Sequence, residues 1–445
     1  MNEGLTLHSK ITFVSLTKMN FNRLFGGNIT HEIMKEGMSM ISVGIDVSKG
    51  ESTVCIMKPL GEVLEPPFKM LHSIEGVLQL IRLIKSYDEE ARVVLEDTGH
   101  YHLPVVTLLV ENDIFVCTVN ALRMKKYCFQ SIRRAKTDKI DSVKIASYGL
   151  TYWNELTPVL PPDDVYRELR LLARQYYQTV SLLVKAKVNL SNLLDQVMPN
   201  IQSLMCDSKS NHKLTDFVYR YWHYGNIVKM GEKRFTNDYS KWAKKQGYRM
   251  YERLAKEIFA VAQNGIPVLP NSISTQIAVR EAIRVLHEIE VSRDTILAHM
   301  QELAKSLPEY SVVRDMSCIG DTLAPRIIAE IGDLRRFKNK HALIAYAGID
   351  APPYQSGSFN ATQRHISKRG NSYLRKTGFE IMQCLTQHKP DGDPVYDFIQ
   401  KKRSEGKSYN ESLIAGLNKF LRIYYGKVNE LYDNINDELI FSDRV

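Results

Sequence analysis

No stretch of the 445-residue sequence approaches the roughly 20 consecutive apolar residues that span a bilayer, which excludes ordinary membrane helices and points to a soluble protein. There is no C-x-x-C spacing. The six cysteines, Cys55, Cys117, Cys128, Cys206, Cys318 and Cys384, are scattered, which argues against a zinc site or a disulfide framework and fits a reducing cytoplasm. Internal repeats and low-complexity tracts are absent as well. With 44% hydrophobic residues the chain is too apolar to be disordered as a whole, and its length suits two or three domains. Lys and Arg number 59 against 50 Asp and Glu, a net charge of +9 and a pI near 9.0. That modest excess permits a polyanionic partner, and where the charges cluster matters more.

Residues 1–39 carry neither a clear helical or strand period nor the apolar core and cleavage site of a secretory signal. Lys35-Glu36-Gly37, just ahead of Met38 and Met40, can be encoded by a purine-rich ribosome-binding sequence. The expectation is that translation begins at Met38 or Met40 and that 1–39 is a non-native or disordered extension.

From Met40 the pattern is informative. Ile41 to Val47 and Thr53 to Met57 read as a hairpin of strands around Ser48-Lys49-Gly50-Glu51, with a poorer third strand between Val63 and Leu71. Ile74 to Tyr87 has helical spacing, Ala91 to Glu96 is a short buried strand, a helix follows to about Glu111, and Ile114 to Val119 is another strand. A helix from about Thr137 to Leu150 completes an α/β domain, 40–157, with a mixed sheet covered by helices. After the proline-rich Pro158 to Asp164, two long amphipathic segments, Val165 to Val197 and Gln276 to Leu307, suggest an antiparallel coiled coil over 165–307. They flank a basic, aromatic insert at about 205–270 with Tyr219, Tyr221, Trp222, Tyr224, Trp242, Tyr248 and Tyr251. A compact helical region, 310–430, has helices at Thr322 to Ile331, Asn339 to Ala347, Asn371 to Leu385 and Tyr409 to Tyr425, with a loop over Ala351 to Ser367.

Four carboxylates lie where a sheet can gather them: Asp46 inside the first strand, Glu96 at the end of another, and Asp138 and Asp141 three apart on one helical face. Clustered acids need compensation to stay ionised. Hard cations such as Mg²⁺ supply it, and two of them about 4 Å apart can stabilise the attacking and leaving oxygens of a phosphoryl transfer. Just before the acidic pair, Leu122 to Lys136 holds Arg123, Lys125, Lys126, Arg133, Arg134 and Lys136 and no acid, a stripe suited to backbone phosphates. Each acid also has a plainer reading: Asp46 as a turn former, Glu96 as a helix N-terminal acid beside Thr98, Asp138 and Asp141 as solvated partners of Lys139 and Lys144.

A second constellation begins at Tyr354-Gln355-Ser356-Gly357-Ser358, a loop with hydroxyls beside glycine. Arg364, Lys368, Arg369, Arg375 and Lys376 follow with His365 and no acid, and Gly370-Asn371 opens a helix whose N-terminus can bind phosphate. A serine beside such a patch can act as a nucleophile, with the cations stabilising the phosphorus centre; such a loop can equally be only a loop. Cys318-Ile319-Gly320 resembles half of a helix–hairpin–helix, or core packing.

These motifs, from Gly44-Ile45-Asp46-Val47-Ser48-Lys49 and Leu95 to Tyr101 through Ala135 to Ser142, Ala329 to Ile349, Gln355-Ser356-Gly357 and His365 to Lys376, resemble the DEDD-type insertion-sequence transposases related to the pilin-gene invertases, whose RNA-guided members are called bridge recombinases. The resemblance spans Ile41 to about Tyr425. It implies an RNase H-like (RuvC-like) domain, a coiled coil for assembly, and a small all-helical C-terminal domain carrying the serine. It implies Asp46, Glu96, Asp138 and Asp141 as metal ligands, Ser356 as the residue that becomes joined to DNA, DNA and an element-encoded guide RNA as partners, and a homodimer assembling to a tetramer on DNA. Acids from one subunit and Ser356 from another would then share the chemistry. The chain departs from the pattern at Ser317-Cys318-Ile319-Gly320-Asp321, where the family has proline–glycine–isoleucine–glycine, and in its long insert; Ser358 competes with Ser356, although the glycine after Ser356 favours the latter.

Three other readings stay open. A metal-dependent nuclease of the Holliday-junction type would use water as nucleophile. A decayed nucleic-acid-binding protein would bind without cutting. An actin-like sugar kinase shares the Gly44-Ile45-Asp46 opening but needs a second glycine-rich phosphate loop, which is missing.

Overall fold

The computed structural model describes residues 40–97, 99–128, 137–159, 164–205, 212–249, 251–352, 355–356, 359–360 and 365–442, without the side chains of 355–356, 359–360 and 436–442. The chain divides into two compact units, one ending at Pro161 and the other beginning at Pro162.

The first unit is built on a mixed five-stranded sheet in the order β3-β2-β1-β4-β5, with β1 Met40–Val47, β2 Glu51–Met57, β3 Val63–Leu71, β4 Glu90–Asp97 and β5 Phe115–Asn120. β1, β2 and β3 are antiparallel neighbours, whereas β1, β4 and β5 run parallel, so the parallel pairs need helical crossovers. Helices α1 Ile74–Ser86 and α2 Leu103–Glu111 are those crossovers. The two prolines of β3, Pro66 and Pro67, are tolerated because β3 is an edge strand. Alternation sorts the faces. Ile41, Val43, Ile45, Val93 and Leu95 pack with Val77, Leu80 and Ile81 of α1 and Val105 and Leu109 of α2. The opposite face carries Val94, Cys117 and Val119, which pack with Ile145 and Tyr148; those two lie on α4 Asp138–Thr151, which follows the short α3 Ala121–Cys128. Strand content and order agree with the mixed sheet expected from sequence; α3 was not expected.

The second unit opens with α5 Asp164–Val197, which pairs with α11 Ile273–Lys305 of the same chain. The pairing is antiparallel: Leu169 and Ala173 share a core with Met300 and Ala304, Leu190 and Leu194 share another with Val279 and Ile283, and Lys187 meets Glu290 at 3.8 Å between them. Between these helices lie α6 Ile201–Met205, α7 Lys213–Tyr221, α8 Tyr224–Met230, α9 Glu232–Lys245 and α10 Glu252–Asn264. The chain leaves and returns at one neck, where the amides of Val268 and Leu269 both donate to the Gln196 carbonyl, at 2.9 and 3.2 Å. Tyr221, Tyr224 and Trp242 are buried in the core of this insert with Phe217, Phe235 and Tyr239. They are therefore packing residues and not a stacking platform for bases. Tyr219 and Tyr251 are exposed, each under an arginine, Arg280 and Arg249, at 5.0 Å.

The C-terminal helices are α12 Tyr310–Arg314, α13 Leu323–Ile331, α14 Lys340–Ala347, α15 Ser372–His388, α16 Pro394–Ser404 and α17 Tyr409–Ser442, with a two-residue hairpin of β6 Gln355–Ser356 and β7 Phe359–Asn360. They share one core with the near ends of α5 and α11, joining Tyr166 and Leu169 to Ile327, Leu374 and Leu421, so 165–307 and 310–430 belong to one compact unit. The last helix runs well past Tyr425. α16, unexpected from apolar spacing, is signalled locally by Asp393, whose side chain accepts from the Val395 and Tyr396 amides, and by Pro394 in the first turn. No described helix is long and apolar enough to cross a membrane.

Candidate active site

The acidic residues converge through a close approach of backbone. A methyl placed on Gly44 would lie 2.2 Å from the Ala146 nitrogen and 2.3 Å from the Ser142 carbonyl, and one on Gly149 would lie 2.1 Å from the Ser42 hydroxyl. Only glycines let α4 rest this near β1. The pairings Ser42 with Gly149 and Gly44 with Ser142 and Ala146 mean that α4 runs antiparallel to the strand. Two strand residues advance about 6.6 Å, which is about four to five residues of helix. The next β1 residue on that face is Asp46, and it falls beneath the first turn of α4, which holds Asp138 and Asp141. That turn is fixed by Thr137, whose hydroxyl accepts from the Ile140 amide at 3.3 Å.

Glu96 joins the same end. Ile45 pairs with Leu95 across the parallel β1–β4 ladder, so Asp46 and Glu96 each follow by one residue. Glu96 lies on the same face as Val94, under α4. Cys128, at the end of α3, senses the same group: burial pushes its thiol up, and Asp141 and Glu96 add to that rise while Lys144 opposes it. Asp46, Glu96 and Asp141 are half-buried and Asp138 is exposed.

Two ammonium groups share the charge. Lys144 Nζ is 3.8 Å from Asp141. Lys69 of β3 lies two strands from Asp46 along one row, Asp46 opposite Thr53 and Thr53 opposite Lys69; its Nζ is 2.8 Å from Glu51 and 3.5 Å from Asp138, and those carboxylates, Glu51 first, hold the ammonium above its usual range. Sequence reasoning missed Lys69, because only the sheet register brings it near the acids. Asp138 thus pairs with Lys69 and not with Lys139. Four carboxylates offer oxygen only, a donor set suited to hard cations such as Mg²⁺ and poorly suited to zinc. Among the described residues, no three of the four bring ligand atoms within 4.8 Å of one another.

Of the basic stripe, Arg123, Lys125 and Lys126 lie on α3 and are exposed. Arg123 is engaged locally, 2.7 Å from Glu155 and 5.2 Å from the centre of the Tyr152 ring. Arg133, Arg134 and Lys136 lie outside the described residues.

In the second unit, Ser356 is the last residue of β6, its Cα paired with Phe359; Tyr354, Gly357, Ser358 and Arg364 lie outside the described residues. The segment 365–371 is docked on the end of α14. Ser367 N donates to the Asp350 carbonyl at 2.8 Å, Lys368 N to Gly348 at 2.9 Å, and Asn371 N to Tyr346 at 2.7 Å. Lys368 and Arg369 are left exposed, as is Lys376, whose Nζ sits 5.1 Å from the Tyr177 ring centre.

Two groups expected to meet phosphate are engaged within the fold. Arg375 turns inward, Nη1 donating to the Ala347 and Gly370 carbonyls at 2.9 and 3.1 Å, and desolvation lowers its pKa. It braces the corner. The α15 N-terminus is also occupied, because Asn371 Oδ1 accepts from the Tyr373 and Leu374 amides at 3.0 and 3.1 Å.

Behind that cap lies a buried network that sequence reasoning missed. Asn371 Nδ2 donates to Glu330 Oε2 at 2.8 Å, and Arg174 Nη2 donates to the same oxygen at 2.9 Å. Glu330 is fully buried, and burial raises its pKa against the pull of Asn371, Arg174 and Arg170.

Residues 43–199 match a family model described as a transposase, and residues 310–397 match the model of the transposase IS116/IS110/IS902 family. The chain is 22% identical over 408 residues to the insertion element IS110 uncharacterized 43.6 kDa protein of Streptomyces coelicolor, covering 91% of this chain and 96% of that one. It is 21% identical over 396 residues to the pilin gene-inverting protein of Moraxella bovis, covering 88% and 97%. Among solved structures, Thermus thermophilus RuvC in complex with Holliday junction substrate aligns at 13% identity and a TM-score of 0.21, over 27% of this chain and 99% of RuvC.

Proposed function

Since the chain belongs to the IS116/IS110/IS902 family of transposases, and is thus a DNA transposase/recombinase, we propose that it moves its element through a serine–DNA intermediate, with Asp46, Glu96, Asp138 and Asp141 as the acidic group and Ser356 as the nucleophile. The observation that carries this reading is the packing of Gly44 against Ser142 and Ala146, which puts the first turn of α4 over Asp46. The four acids would hold divalent cations, a pair of Mg²⁺ ions, which would draw charge from a phosphate and stabilise a leaving alkoxide.

The steps assigned to this chain's own groups are few. Lys126, Lys368, Arg369 and Lys376, all exposed, bind backbone phosphates as point charges or forks. The Ser356 hydroxyl loses its proton and attacks a phosphorus. A serine O–P bond forms, the strand's O–P bond breaks, and the leaving strand oxygen takes a proton. A hydroxyl of the exchanging strand then attacks the phosphoserine, which restores a phosphodiester and returns the serine. The family resemblance supports an element-encoded RNA as guide and a dimer that assembles to a tetramer on DNA.

The test combines purified protein, RNA transcribed from the element's flanks, Mg²⁺, and donor and target DNA. A covalent protein–DNA adduct mapped to Ser356 by mass spectrometry, lost in Ser356→Ala and in Asp46→Ala, is the expected result. Strand cuts with free ends, no adduct and indifference to Ser356→Ala make the enzyme a hydrolytic nuclease of the same acidic group. Equal yields with and without the RNA remove the guide from the proposal.

A further inference from the structure

We propose that His212, His287 and Glu290 form a site for a divalent transition-metal ion of the zinc class, which clips the start of α7 to α11 within the insert. The cysteine spacing argued against zinc, but here imidazoles supply the ligands. One ligand atom from each of the three residues lies within 4.8 Å of the others, and among the described residues this is the group of three that converges so closely. His287 and Glu290 are three apart on α11 and so share a face; His212 immediately precedes α7. His212 Nδ1 is 4.0 Å from Glu290 Oε2, and the two imidazole rings meet edge-on with centroids 5.0 Å apart. The other Glu290 oxygen faces Lys187 Nζ at 3.8 Å, which keeps the carboxylate's two oxygens on separate duties.

A buried threonine sets the histidine's tautomer. Thr215 Oγ1 has one proton and donates it to the His212 carbonyl at 2.9 Å. The 3.0 Å contact between Thr215 Oγ1 and His287 Nε2 is then filled by Nε2–H donating. In the neutral ring this leaves Nδ1 with the lone pair, the arrangement found where a metal-bound histidine donates its other N–H to an oriented acceptor. Thr215 is a positioning residue, 7% exposed.

Two imidazoles and a carboxylate suit Zn²⁺, Co²⁺ or Ni²⁺, and three protein ligands leave a position for water. The oxygen-only acids of the first unit suit harder ions, so the two sites sort metals by donor type. His212 is exposed, which gives an ion a way in, and its location ties the first helix after 206–211 to the long α11.

The experiment uses untagged full-length protein stripped with chelator and held in excess Mg²⁺ to occupy oxygen donors. Co²⁺ is titrated and followed by visible absorption, then displaced with Zn²⁺. One saturable equivalent per chain is expected, weakened about tenfold or more by His212→Ala, by Glu290→Gln and by Thr215→Val, and unchanged in Asp46→Ala. His212→Ala truncates an exposed side chain and leaves the core intact, so folding does not obscure its result. Absence of a saturable equivalent, or binding indifferent to His212→Ala and Glu290→Gln, overturns the proposal, and so does binding lost in Asp46→Ala alone. Neither result bears on the serine chemistry, which is read by the DNA adduct.

Discussion

Arg174 Nη2 lies 2.9 Å from Glu330 Oε2, and its guanidinium carbon stands 3.7 Å from the centre of the Tyr373 ring. One side chain of the long α5 therefore holds both the buried acid of α13 and the first turn of α15, the helix that follows the serine hairpin.

Arg174→Ala leaves Glu330 buried with less compensation and uncovers the Tyr373 ring. Loss of one member of a buried pair costs 3–5 kcal/mol when both partners are fully enclosed; because Arg174 is itself 34% exposed, the expected loss is about 2–3 kcal/mol. Urea unfolding followed by circular dichroism checks it, with a lowered midpoint and an unchanged slope as the expected outcome.

Glu330 also gives a pH dependence with a definite sign. Its pKa is raised in the fold by burial, so the folded state binds its proton more tightly than the unfolded chain does. The stability it contributes is complete below the ordinary glutamate value of 4.5 and is lost as pH rises from there through the raised value. Glu330→Gln removes that titration. The stability of the native sequence relative to Glu330→Gln should fall as pH climbs from about 4.5 towards neutrality, measured by denaturant titrations at several pH values. A pH-independent difference would show that Glu330 is not the group responsible.

Gly44→Ala drives a methyl into the Ala146 nitrogen and the Ser142 carbonyl, both backbone atoms. Overpacking of this kind costs about 2–3 kcal/mol, and it lifts the first turn of α4 away from Asp46. Strand cutting should fall with the loss of stability. Gly320→Ala is the control, since a methyl there meets nothing within 4 Å and should leave the thermal midpoint unchanged.

The sequence was most legible where a pattern is local. Alternation located the strands, and the three-residue spacing of Asp138 and Asp141 placed them on one helical face, as α4 shows. What depends on register or on the destination of a side chain was not legible. Lys69 reaches Asp138 only because three strands align. Arg375 and Lys376 are adjacent and equally basic, yet one turns to the carbonyls of Ala347 and Gly370 while the other stays exposed. The aromatic composition of the insert was legible, but composition cannot separate a ring on a surface, such as Tyr219, from Tyr224 or Trp242 in a core. Asn371 was read as opening a phosphate-binding helix end, and its own side chain occupies that end.

The neck at Gln196 bears on how such a chain can change over time. With Val268 and Leu269 hydrogen-bonded to the residue where the excursion departs, everything between them is a detour whose two ends already meet. Changing the length of a flexible turn within such a segment costs little, about 0.6 kcal/mol per doubling. The insert is in that sense a cassette whose connecting turns can lengthen or shorten, while its helices are tied to the pair by a core shared with Leu190, Leu194, Val279 and Ile283, so an exchanged insert must bring an apolar face of its own to cover them.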